Sequence, residues 1–285
     1  MGAENSRFFP NSFSKKETRR VFLGRGVKIA EGGASIYFVA KVFGFPAISP
    51  EQPTFERIDQ ITFDELSKYE GFETVAHNGG NLRPFYRQFK RTGCNFIETD
   101  AYTYRGKVYV GHEEYFAGVG LDRSQGSITL SRPSRKLSTV IQEIKKDGYK
   151  VLIDFKDTDS PGPVLDILEE NQISDAVFSG EAWSALGQVR EKQGGDASNL
   201  FYTIQNERNI DTFFVHDGFP DGPFGISLDA EVASEENISR FHEAGGTVFV
   251  YVVKTARQAL RVLGNGADGL ITNNLTLLSL QARTA

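Results

Sequence analysis

Strand-like and helix-like stretches alternate from about residue 73 to the end of this chain. The short apolar stretch 149–157, for example, is followed by the amphipathic stretch 164–171, and the same succession recurs about eight times. Such alternation predicts a parallel sheet whose strands are joined by helices. The number of units favours a closed (β/α)8 TIM barrel over an open, doubly wound α/β sheet.

The eight predicted strands share β-branched and aromatic residues with turn residues on either side. They lie at 73–77, 95–104, 149–157, 175–180, 199–205, 224–230, 247–255 and 268–274. Arg105 and Gly106 predict a tight turn that returns the second strand as a hairpin. A helix is expected at 134–148, with Ser134 as its N-cap and Gly148 as its end.

The N-terminal segment differs in charge from the rest of the chain. Residues 1–50 carry a net charge of +5, whereas the whole chain carries −5. Within them, Thr18–Gly24 reads TRRVFLG and resembles a twin-arginine export signal. We therefore interpret 1–50 as an export leader or N-terminal extension, 51–72 as a lead-in and 73–285 as the barrel. This interpretation predicts a periplasmic or extracellular protein.

A second interpretation of the N-terminal segment is a basic amphipathic helix. Such a helix would pack on the barrel or touch lipid, and the protein would then be cytoplasmic.

Composition excludes several classes of function. The acidic barrel region argues against a surface that binds nucleic acid. No run of about 18 apolar residues is present, so no stable membrane span is expected. Cys94 is the only cysteine, which excludes an intramolecular disulfide and a thiolate zinc cluster. No Gly-rich phosphate-binding loop follows any predicted strand. The sequence leaves the oligomeric state open.

Carboxylates concentrate near the ends of two predicted strands. Residues two apart in a strand face the same side, so Glu98 and Asp100 present two carboxylates to one face. Another strand places Asp154 and Lys156 on one face in the same way. The carboxyl ends of barrel strands form the mouth of the barrel, where such folds keep their active sites. These side chains are therefore expected to converge there.

Two histidines also lie at the ends of predicted strands. His77 ends the first predicted strand, and His112 ends the hairpin after the second. Oxygen ligands from the carboxylates suit a hard divalent cation, Mg²⁺ or Ca²⁺, and histidines suit acid–base work near neutral pH. A cation, a lysine and two histidines together point to phosphoryl chemistry. His216 is interpreted as a residue of a predicted loop that could cover the mouth, and His242, on a predicted helix, is interpreted as structural.

Five motifs, in this order, resemble those of the glycerophosphodiester phosphodiesterases. They are AHNGG at 76–80, FIETDAYTYRGKVYVGHEE at 96–114, VLIDFK at 151–156, GGTVFVYVVKT at 245–255 and GADGLITNN at 266–274. The resemblance covers about 73–278 and implies a TIM-barrel enzyme with one bound divalent cation.

The resemblance also implies roles for particular residues. The family's cation ligands correspond to Glu98, Asp100 and Asp154, the last of which replaces a glutamate. Its two catalytic histidines correspond to His77 and His112.

Three further residues are predicted to bind substrate. Lys156 corresponds to a lysine of the family that contacts substrate. Asn78 stands where the family has an arginine. Lys254 lies at the end of the seventh predicted strand, where a second phosphate contact is expected.

The predicted function is metal-dependent hydrolysis of a glycerophosphodiester to a phosphomonoester and an alcohol. The partner is then a small-molecule phosphodiester or lysolipid, and the setting is lipid metabolism. The short spacing between His77 and Glu98 leaves open a lysophospholipase D or sphingomyelinase D-like activity that releases a cyclic phosphate. The missing arginine at position 78 leaves open a non-catalytic barrel that binds phosphodiesters.

Overall fold

A computed structural model of this 285-residue chain describes residues 53–111, 114–116, 119–122, 127–129, 135–215, 220 and 222–280. The predicted export leader, Ser134, His112 and His216 lie outside these residues.

Strands and helices alternate between Glu73 and Thr272 as the sequence predicts. The strands are β1 (Glu73–Ala76), β2 (Phe96–Tyr104), β3 (Lys107–Val110), β4 (Glu114–Phe116), β5 (Val119–Asp122), β6 (Ser127–Thr129), β7 (Arg135–Lys136), β8 (Lys150–Phe155), β9 (Val177–Gly180), β10 (Leu200–Ile204), β11 (Phe224–Asp229), β12 (Gly246–Tyr251) and β13 (Gly269–Thr272). The helices are α1 (Gln60–Leu66), α2 (Arg83–Phe89), α3 (Leu137–Lys146), α4 (Pro161–Glu170), α5 (Trp183–Lys192), α6 (Glu207–Val215), α7 (Glu235–Glu243), α8 (Ala256–Gly264) and α9 (Leu275–Leu278). The strands β4–β7 and the helices α1, α6 and α9 were not predicted.

Eight of these strands form a closed parallel barrel in the order β1-β2-β8-β9-β10-β11-β12-β13. The barrel closes because β1 pairs in parallel with both β13 and β2. Helices lie between the successive strands, and their apolar faces pack on the outside of the barrel. The predicted (β/α)8 TIM barrel and its eight strands are therefore confirmed.

The predicted hairpin is also present. β3 pairs antiparallel with β2, and Arg105 and Gly106 turn the chain with φ angles of 50° and 72°. The helix expected from residue 134 begins instead at Leu137. Its start was predicted too early because Arg135 and Lys136 pair with β3 as the short strand β7. Gly148 follows the helix with a φ of 79°, as its predicted role at the helix end requires.

An apolar floor fills the inside of the barrel below its mouth. It consists of Val75, Phe96, Leu152, Phe201, Phe249 and Ile271. The rings of Phe201 and Phe249 lie 4.6 Å apart between their centroids. Two glycines make room for them, since a Cβ at Gly225 would overlap the ring of Phe201 and one at Gly269 would overlap that of Phe249.

The lead-in is bound to the barrel by specific hydrogen bonds. Thr54 forms a parallel bridge with Asn274, just after β13. The Glu56 carboxylate accepts hydrogen bonds from the backbone N of Ala256, at 2.8 Å, and from Asn274 Nδ2, at 2.9 Å. The Glu56 backbone N donates to Thr276 Oγ1 at 3.2 Å. The lead-in from residue 53 therefore belongs to the folded barrel. None of the helices in the described residues has the length and hydropathy that crossing a membrane requires.

These contacts predict where the chain tolerates truncation. A protein that starts at residue 51 is expected to unfold at the same denaturant midpoint as the full chain, because it keeps Thr54 and Glu56. A protein that starts at residue 58 is expected to lose about 1–3 kcal/mol, since it leaves the partners of Glu56 unpaired. Equilibrium unfolding in urea measures both. A large loss on removal of residues 1–50 would show that the N-terminal segment is part of the fold.

Candidate active site

Strand register brings the predicted carboxylates together at the mouth. Asp100 on β2 lies directly beside Asp154 on β8, and Asp154 lies beside Ser179 on β9. Glu98 is two residues before Asp100 on the same face of β2. One carboxylate oxygen from each of Glu98, Asp100 and Asp154 lies within 4.8 Å of the others. The predicted convergence of this carboxylate triad is confirmed.

Burial makes negative charge on the carboxylate triad unfavourable. Glu98 is 4% exposed and Asp100 is 0% exposed. Burial, and then the charges of Asp100 and Asp154, raise the pKa of Glu98 well above its usual value. A positive charge placed among these carboxylates would favour their ionised forms.

Lys156 supplies one such charge. Its Nζ lies 2.9 Å from Asp100 Oδ1 and also contacts Asp154 Oδ2. Burial acts to lower the pKa of Lys156, but the charges of Asp100, Asp154 and Glu98 outweigh it and raise this pKa well above its usual value. With all groups ionised, three carboxylates and one ammonium leave a net charge of −2, which a divalent cation would neutralise. The oxygen donor set also fits a hard cation.

Each carboxylate of the triad has one oxygen that accepts a hydrogen bond from an uncharged donor. The backbone N of Asn78 donates to Glu98 Oε2, Asn81 Nδ2 donates to Asp100 Oδ2, and Ser179 Oγ donates to Asp154 Oδ1 at 2.6 Å. Sequence reasoning missed both side-chain donors. Ser179 stands two residues after Val177 on β9, so period two along that strand could have identified it. Asn81 lies in a loop, where no periodicity marks it.

His77 and Asn78 lie next to the triad. His77 directly follows β1, is partly buried, and its backbone N donates to the carbonyl of Thr272 at 2.9 Å. Each ring nitrogen of His77 lies 3.4 Å from Asn78 Nδ2. Asn78 has a φ of 55°, a left-handed conformation that asparagine tolerates well.

The hairpin of β2 and β3 ends beside the carboxylate triad. The backbone N of Gly111, the residue before His112, donates to the carbonyl of Asp100 at 3.1 Å. His112 itself lies outside the described residues, so its catalytic role stays a prediction.

Three other residues of interest are Lys254, His242 and Cys94. Lys254 is an exposed residue after β12 whose backbone N donates to Gln258 Oε1 at 2.8 Å, and its substrate-binding role stays a prediction. His242 Nε2 lies 2.8 Å from Asp268 Oδ2. Because Asp268 precedes β13, this pair lies at the end of the barrel opposite the mouth, as expected for a structural histidine.

Cys94 is 3% exposed, and burial raises the pKa of its thiol to about 11. An inert, buried thiol is the result.

Neither a protein-family model nor a curated protein matches this sequence. Solved structures do match the fold. A glycerophosphodiester phosphodiesterase from Parabacteroides distasonis is 12% identical with a TM-score of 0.59, over 75% of this chain and 99% of that chain. A phosphodiesterase from Oleispira antarctica, solved in complex with the product sn-glycerol-3-phosphate, is 14% identical with a TM-score of 0.56, over 74% and 96%.

A glycerophosphodiester phosphodiesterase from Agrobacterium tumefaciens is 13% identical with a TM-score of 0.52, over 73% of this chain and 99% of that chain. The chain therefore has the fold of these phosphodiesterases along nearly their whole length. The resemblance stated from the sequence motifs is confirmed at the level of the fold.

Proposed function

We propose that this protein is a metal-dependent phosphodiesterase that hydrolyses a glycerophosphodiester to a phosphomonoester and an alcohol. The observation that carries the proposal is the convergence of three carboxylates and Lys156 at the mouth of the barrel. The names of the structural neighbours support the class of substrate, and the product bound to the Oleispira antarctica protein is a phosphomonoester of glycerol.

The cation site consists of Glu98, Asp100 and Asp154. These residues would hold one Mg²⁺ or Ca²⁺ through carboxylate oxygens. When bound, the cation offsets negative charge on the phosphoryl oxygens of the substrate.

In this proposal, Lys156 and Asn78 bind the phosphoryl group. The Lys156 ammonium lies beside Asp100 and Asp154, so it is close enough to the cation site to donate to a phosphoryl oxygen of the same substrate. The Asn78 amide lies beside His77 and provides an uncharged donor where the related enzymes have arginine. Lys254 would contact the remainder of the phosphodiester from the end of β12.

His77 and His112 move the protons. One histidine removes the proton of the substrate's own 2-hydroxyl, whose oxygen forms a bond to phosphorus. The bond from phosphorus to the alcohol oxygen breaks, and the second histidine donates a proton to that oxygen. Water then opens the resulting cyclic phosphate, so that the final products are the phosphomonoester and the alcohol.

A substrate panel tests this function. Glycerophosphodiesters with different alcohols and lysophospholipids are incubated with the full chain in Mg²⁺, Ca²⁺ or chelator, and the products are identified by mass spectrometry. We expect a glycerol phosphomonoester that forms only with cation. A cyclic phosphate as the final product would favour the lysophospholipase D-like alternative. No turnover of any phosphodiester would favour the non-catalytic barrel.

A further inference from the structure

We propose that Asn81 and Ser179 are positioning residues that determine which oxygen of Asp100 and which oxygen of Asp154 face the cation. The inference rests on the proposed function, because it concerns the same cation site. Each of these two aspartates is paired with one uncharged side-chain donor.

The Asn81 amide is held in one orientation by four hydrogen bonds. Its Nδ2 donates to Asp100 Oδ2 and, at 2.7 Å, to Asn78 Oδ1. Its Oδ1 accepts from the backbone N of Asp100 at 3.0 Å and from Thr99 Oγ1 at 3.1 Å. Both N–H groups and both lone pairs are therefore used, and a flipped amide would place like groups against each other. Asn81 is 8% exposed, so water does not readily replace these partners.

Ser179 plays the corresponding part for Asp154. Its Oγ donates to Asp154 Oδ1 at 2.6 Å, from the neighbouring position on β9. Ser179 is 3% exposed. The hydroxyl therefore fixes one oxygen of Asp154 on the side of β9.

The remaining oxygens are the ones that face positive charge. Lys156 contacts Asp100 Oδ1 and Asp154 Oδ2, which are the two oxygens that Asn81 and Ser179 do not use. In both aspartates, one carboxylate oxygen is therefore held by the uncharged donor, and the other oxygen faces the position of a cation. Without its donor, a carboxylate can rotate about its terminal bond, and removal of such partners typically weakens metal affinity by about 10–100-fold.

Two alanine substitutions with matched controls test the proposal. Asn81→Ala and Ser179→Ala remove the donors. Asn95→Ala removes another partly buried asparagine beside β2, whose Oδ1 accepts from the backbone N and the hydroxyl of Thr74 at the far end of the barrel. Ser227→Ala removes another buried serine of the barrel, 4% exposed and on β11.

Calorimetric titration of each full-length variant with Mg²⁺, and separately with Ca²⁺, gives the cation affinity without any substrate. We expect about 10–100-fold weaker binding in Asn81→Ala and Ser179→Ala and wild-type affinity in both controls. At saturating cation, the kcat of both variants should return most of the way to the wild-type value, because the positioning residues do not touch the substrate's reacting atoms.

The outcomes separate this inference from the proposed function. Wild-type affinity in Asn81→Ala and Ser179→Ala would overturn the inference and leave the function in place. An equal loss in the controls would overturn it as well, because the effect would then be general destabilisation. A wild-type protein that binds neither cation would overturn both proposals. If Asn81→Ala does not fold, Ser179→Ala decides the question, because it removes only one hydroxyl.

Discussion

Asp100→Asn should remove the stabilisation of the folded protein by Mg²⁺ or Ca²⁺ and lower kcat/KM by on the order of 10³-fold. Asp100 is fully buried, belongs to the carboxylate triad and contacts Lys156. Asparagine keeps the shape of the side chain but removes its charge. Charge stabilisation by a bound cation is worth several kcal/mol, and each 1.36 kcal/mol corresponds to about a tenfold change in rate.

Thermal unfolding gives the clearest measurement. A cation at about 100 times its Kd stabilises a protein that binds it only when folded by about 2.7 kcal/mol. The wild-type protein should therefore unfold at a higher Tm in cation than in chelator, and Asp100→Asn should show little difference. Asp166→Asn, on the exposed face of α4, is the matched control and should behave as wild type. If the cation stabilises Asp100→Asn as much as the wild-type protein, the carboxylate triad is not the cation site.

His77→Ala and His112→Ala are each expected to lower kcat by about 10²–10⁴-fold while cation affinity changes little. The reason is that a hard cation with three carboxylate ligands prefers oxygen, so the histidines act on protons. The double variant should lose less than the product of the two single losses, because residues that act as a unit are not additive.

His242→Ala is the control for the histidine pair. Its exposed pair with Asp268 is worth about 0–1 kcal/mol at most, and it lies at the opposite end of the barrel, so activity should not change. Full activity in either His77→Ala or His112→Ala would reject the paired acid–base role. A large loss of cation affinity in either variant would instead indicate a metal ligand.

The barrel and the carboxylate triad were predictable because both follow from strand periodicity. Asp154 and Lys156 share a face of β8 for the same reason that Glu98 and Asp100 share a face of β2. The register that places Asp100 beside Asp154 depends on how two strands separated by about 50 residues align, which the sequence pattern alone does not determine.

Contacts through loops were not predictable. Asn81 orients Asp100 from the loop between β1 and α2, and its spacing from Asp100 carries no periodic signal. The anchoring of the lead-in through Glu56 depends on partners about 200 residues later in the chain, Ala256 and Asn274. The start of α3 was predicted too early in the chain for a similar reason, because the pairing of β7 with β3 is a tertiary contact.

The apolar floor has a kinetic consequence. Its side chains pack together inside the barrel below the carboxylate triad, and the glycines at 225 and 269 make room for the rings of Phe201 and Phe249. Within the described residues this packing leaves the mouth as the route to the triad, so the phosphodiester of the proposed function would enter, and both of its hydrolysis products would leave, by that opening. The phosphomonoester would then occupy the position that the next substrate needs, so it should act as a competitive inhibitor, and its departure would limit the turnover rate once the chemical step is fast.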